Sequence, residues 1–332
     1  MYKKLFLFSL VLLMCLSFAF STNAASQTAE FTLKCGSIVP IGGIQSRAMD
    51  WVMNEIEKRS DGMLKIDYYP ANQLGSTDEQ FDSIITGTID LFITGGNTME
   101  AMGKEYAIDA IPFIFRNEEH RLAYQNSELN KERHEKTLER NGVRVIADNW
   151  YYQPHILLST KPISKPEDLD GFKMRVPASR AQFIGWKEIG TNPVTMPFGD
   201  VYLALKQGVI DGVSDNFEAI VEDHFTEVAS NVIMLKTEFG YEAVMVNEKS
   251  YQKLPENLRS ILVETFKEGG DIYSKYDEQE ADVVRKYIEE NNDVKVFDVD
   301  NELFRERIKG LSEKLEKEGI VTVEELDKIK DL

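Results

Sequence analysis

The order of short apolar runs and helical repeats between Phe31 and Thr94 constrains the fold of this 332-residue chain more than any other feature. Phe31–Ile38 reads as a strand and Pro40–Gly43 as a loop. Ile44, Ala48, Trp51, Val52 and Ile56 then recur at helical spacing up to a stop at Ser60-Asp61-Gly62. Leu64–Tyr69 alternates as a strand does. The loop from Asn72 to Ser76 ends on a helix start, with Ser76 or Thr77 as the cap, Asp78 and Glu79 in the first turn, and Phe81, Ile84 and Ile85 as the apolar face. Gly87 closes that helix, and Ile89–Thr94 is the next strand. A β-α-β-α-β order predicts the doubly wound sheet of an α/β protein, whose ligands bind at the carboxyl ends of strands. Thr94 and Gly95-Gly96-Asn97 stand at such an end. The glycines serve either a close backbone approach to a ligand or a plain turn.

The pattern then repeats. Ile111–Phe115 is a compact apolar run, Glu118–Arg140 is polar and helical, and Val143–Ala147 is a strand. Trp150-Tyr151-Tyr152 lines a cleft or packs a domain edge. Ile156–Leu158 is another strand, and a proline-braced connection from Lys161 to Leu169 leads into a second α/β unit. From Leu254 a helical reading runs to Glu290, with a kink or break expected at Gly269-Gly270. Phe304–Lys317 is a last amphipathic helix. Without a flexible tether, the two α/β halves are joined by strands, which suits a hinge.

Within the second unit, Gly171–Asn216 brings three groups to strand ends. Lys173–Val176 is a short strand that delivers Arg175 just before Pro177. Pro197-Phe198-Gly199 is a turn that opens a helix with Val201, Tyr202 and Leu205 on one face. Gly208 ends it, and the strand Val209–Val213 delivers Ser214, Asp215 and Asn216. An arginine so placed is an exposed edge residue, a member of a structural ion pair, or the anchor of a ligand, whose carboxylate a guanidinium matches with two parallel N–H···O bonds. No nucleophile–base pair accompanies it. The composition of the stretch favours holding an anion over transforming one.

Charge and targeting narrow the class. The net charge of −18 argues against a nucleic-acid partner, so an anion here needs local cations and backbone N–H groups. Lys3 and Lys4 precede an apolar run from Leu5 to Phe20, too short for a membrane span, and Ser21–Ala25 offers small residues for cleavage. Residues 1–25 therefore read as a secretory signal peptide, whose loss takes the net charge from −18 to −20. Cys35 is then the one remaining cysteine, expected as a buried apolar side chain rather than a disulfide partner. G-x-S-x-G, Walker A, H-E-x-x-H and C-x-x-C are absent, and no cofactor is expected. His120, His134 and His224 lie on polar helical stretches and are expected at the surface, whereas His155 sits between the aromatic cluster and a strand.

Lys173-Met174-Arg175-Val176-Pro177, the run from Asn192-Pro193 through Met196-Pro197-Phe198-Gly199-Asp200-Val201-Tyr202 to Leu205, and Gly208-Val209-Ile210-Asp211-Gly212 resemble the signature of DctP-type solute-binding proteins of TRAP (tripartite ATP-independent periplasmic) transporters. Asn72-Gln73-Leu74-Gly75, Gly87-Thr88-Ile89-Asp90, Pro112–Phe115 and Lys165–Leu169 extend the resemblance over essentially the whole mature chain. It implies a two-domain periplasmic-binding-protein-like α/β fold with a hinge and a long C-terminal helix spanning both domains. Domain I would comprise 26–153 and 242–282, and domain II 154–241 and 283–332. It further implies a periplasmic monomer that closes on a small organic acid and delivers it to membrane permease subunits, with no catalysis. In that family the arginine of K-x-R-V-P pairs with the ligand carboxylate, which points to Arg175, and the phenylalanine after Met-Pro walls the site, which points to Phe198. Gln73, Thr94, Gly95, Trp150 and Asn216 complete the expected contacts. Two departures stand out. The usual ligand-binding asparagine falls on Asp215, and a second arginine carried by many members is replaced by His155. A site with one fixed positive charge fewer and a new carboxylate suits a monocarboxylate with hydroxyl or amino groups, such as a sugar acid, better than a C4-dicarboxylate. Two rivals are a secreted lyase or hydrolase using Asp215 as base and His155 as acid, and a ligand-sensing partner of a membrane kinase.

Overall fold

The structure, a computed structural model, describes residues 29–216, 223–290 and 293–332. The segment read as a signal peptide lies outside the described residues. In chain order the regular elements are β1 (Phe31–Ser37), α1 (Ile44–Arg59), β2 (Leu64–Tyr69), α2 (Thr77–Thr86), β3 (Leu91–Gly95), α3 (Glu118–Gln125), α4 (Glu128–Asn141), β4 (Val143–Tyr151), β5 (His155–Ser159), β6 (Lys173–Val176), α5 (Arg180–Ile189), β7 (Asn192–Thr195), α6 (Val201–Lys206), β8 (Gly212–Asp215), β9 (Asn231–Glu238), β10 (Tyr241–Asn247), α7 (Glu248–Lys253), α8 (Glu256–Glu290), β11 (Lys295–Phe297), α9 (Asn301–Glu306), α10 (Leu311–Lys317) and α11 (Val323–Lys330). Among the described residues no helix is long and apolar enough to cross a membrane.

The strands form two sheets, ordered β2-β1-β3-β10-β4 and β11-β9-β5-β8-β6-β7. In the first, β1 runs parallel to β2 and β3, and β10 returns antiparallel between β3 and β4. In the second, β6 runs parallel to β7 and β8, while β5 is antiparallel to both β8 and β9. Alternation explains the first core. Leu33 and Cys35 of β1 point inward with Leu64 and Ile66 of β2 and meet Val52 and Ile56 of α1. Burial of Cys35 fits the expectation of a small apolar side chain. Ser76 caps α2 in a capping box with Glu79, and Gly87 ends it in the left-handed conformation.

The chain passes from sheet to sheet at 152–154, again at Phe239-Gly240, and through α8. These crossings touch one another. The Tyr152 ring lies where a Cβ on Gly240 would stand, within 2.1–2.6 Å, so the second crossing needs glycine to let the first one pass. Asp277 of α8 accepts the Gln153 backbone N–H at 2.8 Å.

Helix α8 differs from its sequence reading. Its 35 residues run without interruption through Gly269-Gly270, a length of about 50 Å at the usual rise. Leu258, Leu262, Phe266 and Tyr273 join the first core, and Val284 and Ile288 the second, so one helix serves both sheets. The glycines permit close approach rather than a break. A Cβ on Gly269 would stand 2.4 Å from Val52 Cγ2 and 3.1 Å from Trp150. Elsewhere the polar helical stretch from Glu118 divides into α3 and α4 around the Ser127 cap, and the last expected helix divides into α9 and α10, with α11 following. His224 is exposed as expected. His120 is not a surface residue. Its Nε2 lies 2.6 Å from the Ile329 carbonyl, in the place where α11 docks. His134 is partly buried against the Tyr106 ring, and burial with the neighbouring Arg133 pushes its pKa down to about 3.

Candidate functional site

The carboxyl ends of the parallel strands from both sheets face one cleft, as a doubly wound topology dictates. Ile38–Pro40 follow β1, Asn97 and Thr98 follow β3, Pro177 and Ala178 follow β6, and Met196–Phe198 follow β7. The cavity between them measures about 250 Å³ and is lined on both sides, the scale of a small organic molecule.

Arg175 enters from β6, whose partners β7 and β8 fix its position on both sides. Its Nε and Nη2 both donate to the Met196 carbonyl at 3.3 Å, and its guanidinium lies 5.6 Å from the centre of the Phe198 ring. Phe198 is itself held edge-on against the buried Phe225. One carbonyl occupies two of the five guanidinium N–H donors, so the others are available to the cleft. Burial lowers the Arg175 pKa to about 10 while Asp215 and Glu238 hold it up, and the side chain stays charged at neutral pH.

Facing it, Asp215 ends β8, and its Oδ1 accepts the Asn216 backbone N–H at 2.9 Å. Burial raises its pKa to about 6 against the opposing pull of Arg175. His155 opens β5. It stacks on Tyr152 with ring centres 5.3 Å apart, and its Nε2 stands 3.9 Å from Asp215 and its Nδ1 3.6 Å from Glu238, both beyond hydrogen-bond distance. Burial and the nearby Arg175 push the His155 pKa down to about 3, so the ring is neutral here. Glu238 stands one layer behind, close to Tyr152 Oη and Gln182 Nε2, with burial raising its pKa to about 8. A neutral imidazole at these separations from two carboxyl groups is a packing and hydrogen-bonding surface rather than an acid–base relay.

The cleft therefore gathers Arg175, Asp215, Phe198, His155, Asn216 and Gly95 from the sequence expectation. Three expected contacts are not among its lining. Trp150 faces the other side of β4, where its indole N–H donates to the Phe266 carbonyl at 2.9 Å and its ring packs on Tyr273; Tyr273, not Trp150, reaches the cleft. Thr94 is buried behind the wall, with its hydroxyl 3.0 Å from that of Thr98, which does line it. Gln73 is exposed in a turn, its N–H bonded to the Pro70 carbonyl. Between the two glycines the functions divide. Gly95 lines the cleft, whereas Gly96 makes room for the Tyr241 ring, which a Cβ would approach to 2.5 Å.

Gln45, Gln182 and Glu242 line the cleft and escaped the sequence reading. Gln45 occupies the first turn of α1, with its Oε1 accepting from Ser37 Oγ at 2.5 Å and from Tyr68 Oη at 3.0 Å. Glu242 lies on β10 opposite Gly95, and burial raises its pKa to about 8, with Asp215 adding to the shift. A lone carboxylate within the apolar run Tyr241–Val246 was a signal that could have singled it out.

A family model described as bacterial extracellular solute-binding protein, family 7, matches residues 36–318. The sialic acid-binding periplasmic protein SiaP of Vibrio cholerae is 26% identical over 289 residues, 87% of this chain and 89% of that one. A TRAP periplasmic solute-binding protein of Roseobacter denitrificans, solved with bound L-galactonate, superposes with a TM-score of 0.81 at 25% identity, covering 90% of this chain and 99% of that one. One from Sulfurospirillum deleyianum, solved with succinate, shares the fold at a TM-score of 0.83 and 21% identity, over 91% of this chain and 99% of that one.

Proposed function

The chain belongs to bacterial extracellular solute-binding protein family 7, and from that premise we propose that it captures a small organic acid in the cleft through Arg175 and hands it to the membrane subunits of a TRAP-type permease. It is a solute-binding receptor of a transporter family and not an enzyme, which sets aside the lyase and hydrolase reading. The ligand is a monocarboxylate carrying hydrogen-bond donors. Sugar acids fit this description, and the L-galactonate-bound structure supports it. Residues 1–25 direct export to the periplasm, where the protein acts as a monomer. Residues 26–153 with 242–282 form one half and 154–241 with 283–332 the other, closing about the crossings at 152–154, Phe239-Gly240 and α8.

The observation that carries this reading is the Arg175 guanidinium. It is seated on the Met196 carbonyl and the Phe198 face, with donors to spare toward the cleft. Phe198 walls the carboxylate, Asp215 and Asn216 take the ligand's donors, and His155 and Gly95 shape the opposite side. Trp150 and Thr94 act through Tyr273 and Thr98. Isothermal titration with D-gluconate, L-galactonate and N-acetylneuraminate tests it. Removing one partner of a desolvated charge pair costs about 3–5 kcal/mol, so Arg175→Ala lowers the affinity of whichever acid binds by about a hundredfold or more. Near-wild-type affinity in a folded Arg175→Ala protein rules out the assignment.

A further inference from the structure

The cleft holds more acidic groups than a plain organic acid can satisfy. Among the described residues that line it, Arg175 is the one Lys or Arg, while Asp215 at the end of β8 and Glu242 on β10 come from the two different sheets, and Asp78 in the first turn of α2 and Asp223 add two further carboxyl groups. His155 is neutral and adds no charge, and Glu238 sits behind it. Asp215 accepts one backbone N–H, from its own neighbour. Among the described residues no side chain forms an ion pair with Glu242. A carboxylate on the ligand uses Arg175 and leaves the Asp215 carboxylate and the Glu242 carboxyl group without a ligand partner in a buried cleft, where an unpaired charge or polar group is costly.

Unpartnered polar atoms on both sides of the cleft indicate what is missing. The Gln182 Oε1, on a side chain 5% exposed, has no donor, because its amide nitrogen is turned to Glu238. The Gln45 Nε2, on a side chain 4% exposed, has no acceptor, because its oxygen is occupied by Ser37 and Tyr68. Both residues line the cleft. Gln45 and Arg175 thus offer donors, while Asp215, Glu242 and Gln182 offer acceptor oxygens, two of them on carboxyl groups. Hydroxyl groups would supply donors but no charge. An ammonium supplies three donors and the compensating charge together.

Resting on the receptor reading above, we propose that the ligand is a zwitterion, its carboxylate held by Arg175 and Gln45 and its protonated nitrogen by Asp215, Glu242 and Gln182. A second carboxylate on the ligand would find no second Lys or Arg among the described residues that line the cleft. A second consequence distinguishes this from simple packing. Burial holds the empty-cleft pKa of Glu242 near 8 and that of Asp215 near 6, so at pH 7 Glu242 is largely protonated. An ammonium beside it ionises it, and binding releases a proton. An anionic ligand releases none.

Calorimetry on matched acids that differ in an amino group for a hydroxyl tests the proposal: alanine with lactate, serine with glycerate, and 2-amino-2-deoxy-D-gluconate with D-gluconate. Titrations at pH 7 in phosphate and in Tris count the protons. In at least one pair the amino acid should bind about tenfold tighter or better, with proton release. Glu242→Gln should abolish the release and most of the preference, and Asp215→Asn should weaken the preference. If the hydroxy acid of a pair binds as tightly as its amino partner, with no proton released, the zwitterion is wrong and the receptor reading survives. If no member of any pair binds, or if binding persists in Arg175→Ala, the zwitterion and the Arg175 reading fall together. Native mass spectrometry of protein purified without refolding gives an independent answer, since a co-purifying acid that lacks nitrogen also overturns the proposal.

Discussion

Gly269→Ala separates the two roles a glycine can have inside a helix. Were Gly269 a weak point in α8, alanine would stabilise the protein by about 1 kcal/mol through helix propensity alone. The structure predicts that this gain is cancelled or reversed. The new Cβ would stand 2.4 Å from Val52 Cγ2 and 3.1 Å from the Trp150 ring, where carbon atoms pack at about 3.5–4.0 Å. Val52 is fully buried in α1 and, being β-branched in a helix, has essentially one rotamer, so it does not swing aside. Either α8 moves by about 1 Å or the core around Trp150 does. Overpacking of this kind costs about 1–3 kcal/mol, which cancels or outweighs the propensity gain and leaves a net loss of up to about 2 kcal/mol. That corresponds to a Tm unchanged or lower by up to roughly 6 °C in a thermal melt of dialysed protein, ligand-free because bound ligand raises Tm by mass action. Gly270→Ala is the control. Its Cβ meets the Asn149 amide, whose rotation gives up side-chain hydrogen bonds to Lys267 and Asp271, so loss and gain nearly cancel. Val52→Ala should cost much less in the Gly269→Ala background than in wild type. A Tm increase in Gly269→Ala of the size propensity predicts would refute the close packing of α8 against α1 and β4.

Asp277 gives a pH-dependent outcome at the crossings. Its pKa is raised by burial from 3.8 to about 7, so the folded chain binds more protons than the unfolded one between those values, and stability is lost as the pH rises through them. Asp277→Asn keeps an acceptor for the Gln153 N–H without the charge. It should raise stability at pH 8 by an amount bounded at about 4 kcal/mol, read as a higher Tm, and converge on wild type as the pH falls toward 4; an offset independent of pH would show that Asp277 is not titrating. Closure should appear as compaction in small-angle scattering once a ligand of confirmed affinity is bound, with about 2.7 kcal/mol of added stability at a hundredfold excess over Kd. A binding isotherm without any compaction would remove the hinge.

Local sequence determined most of the secondary structure, because burial imposes a period that neighbouring residues display. Leu64–Tyr69, the Ser76 capping box and the Gly87 stop all lie where short-range pattern places them. The motif around Arg175, Phe198, Asp215 and Asn216 was legible because all four fall in one contiguous stretch, on or shortly after β6, β7 and β8. Tertiary structure decided the rest. Whether Gly269-Gly270 breaks α8 depends on Val52, Trp150 and Asn149, more than a hundred residues away, and not on the glycines. His120 looks like a surface residue until α11, some two hundred residues later, covers it. Trp150 and Tyr152, two residues apart, part company because β4 turns one onto α8 and the chain carries the other into the crossing beside His155. Gln45, Gln182 and Glu242 meet only in the folded cleft, brought from α1, α5 and β10. Their chemistry lies in which polar atoms remain unpaired after packing, and that pairing is a property of contacts between distant segments.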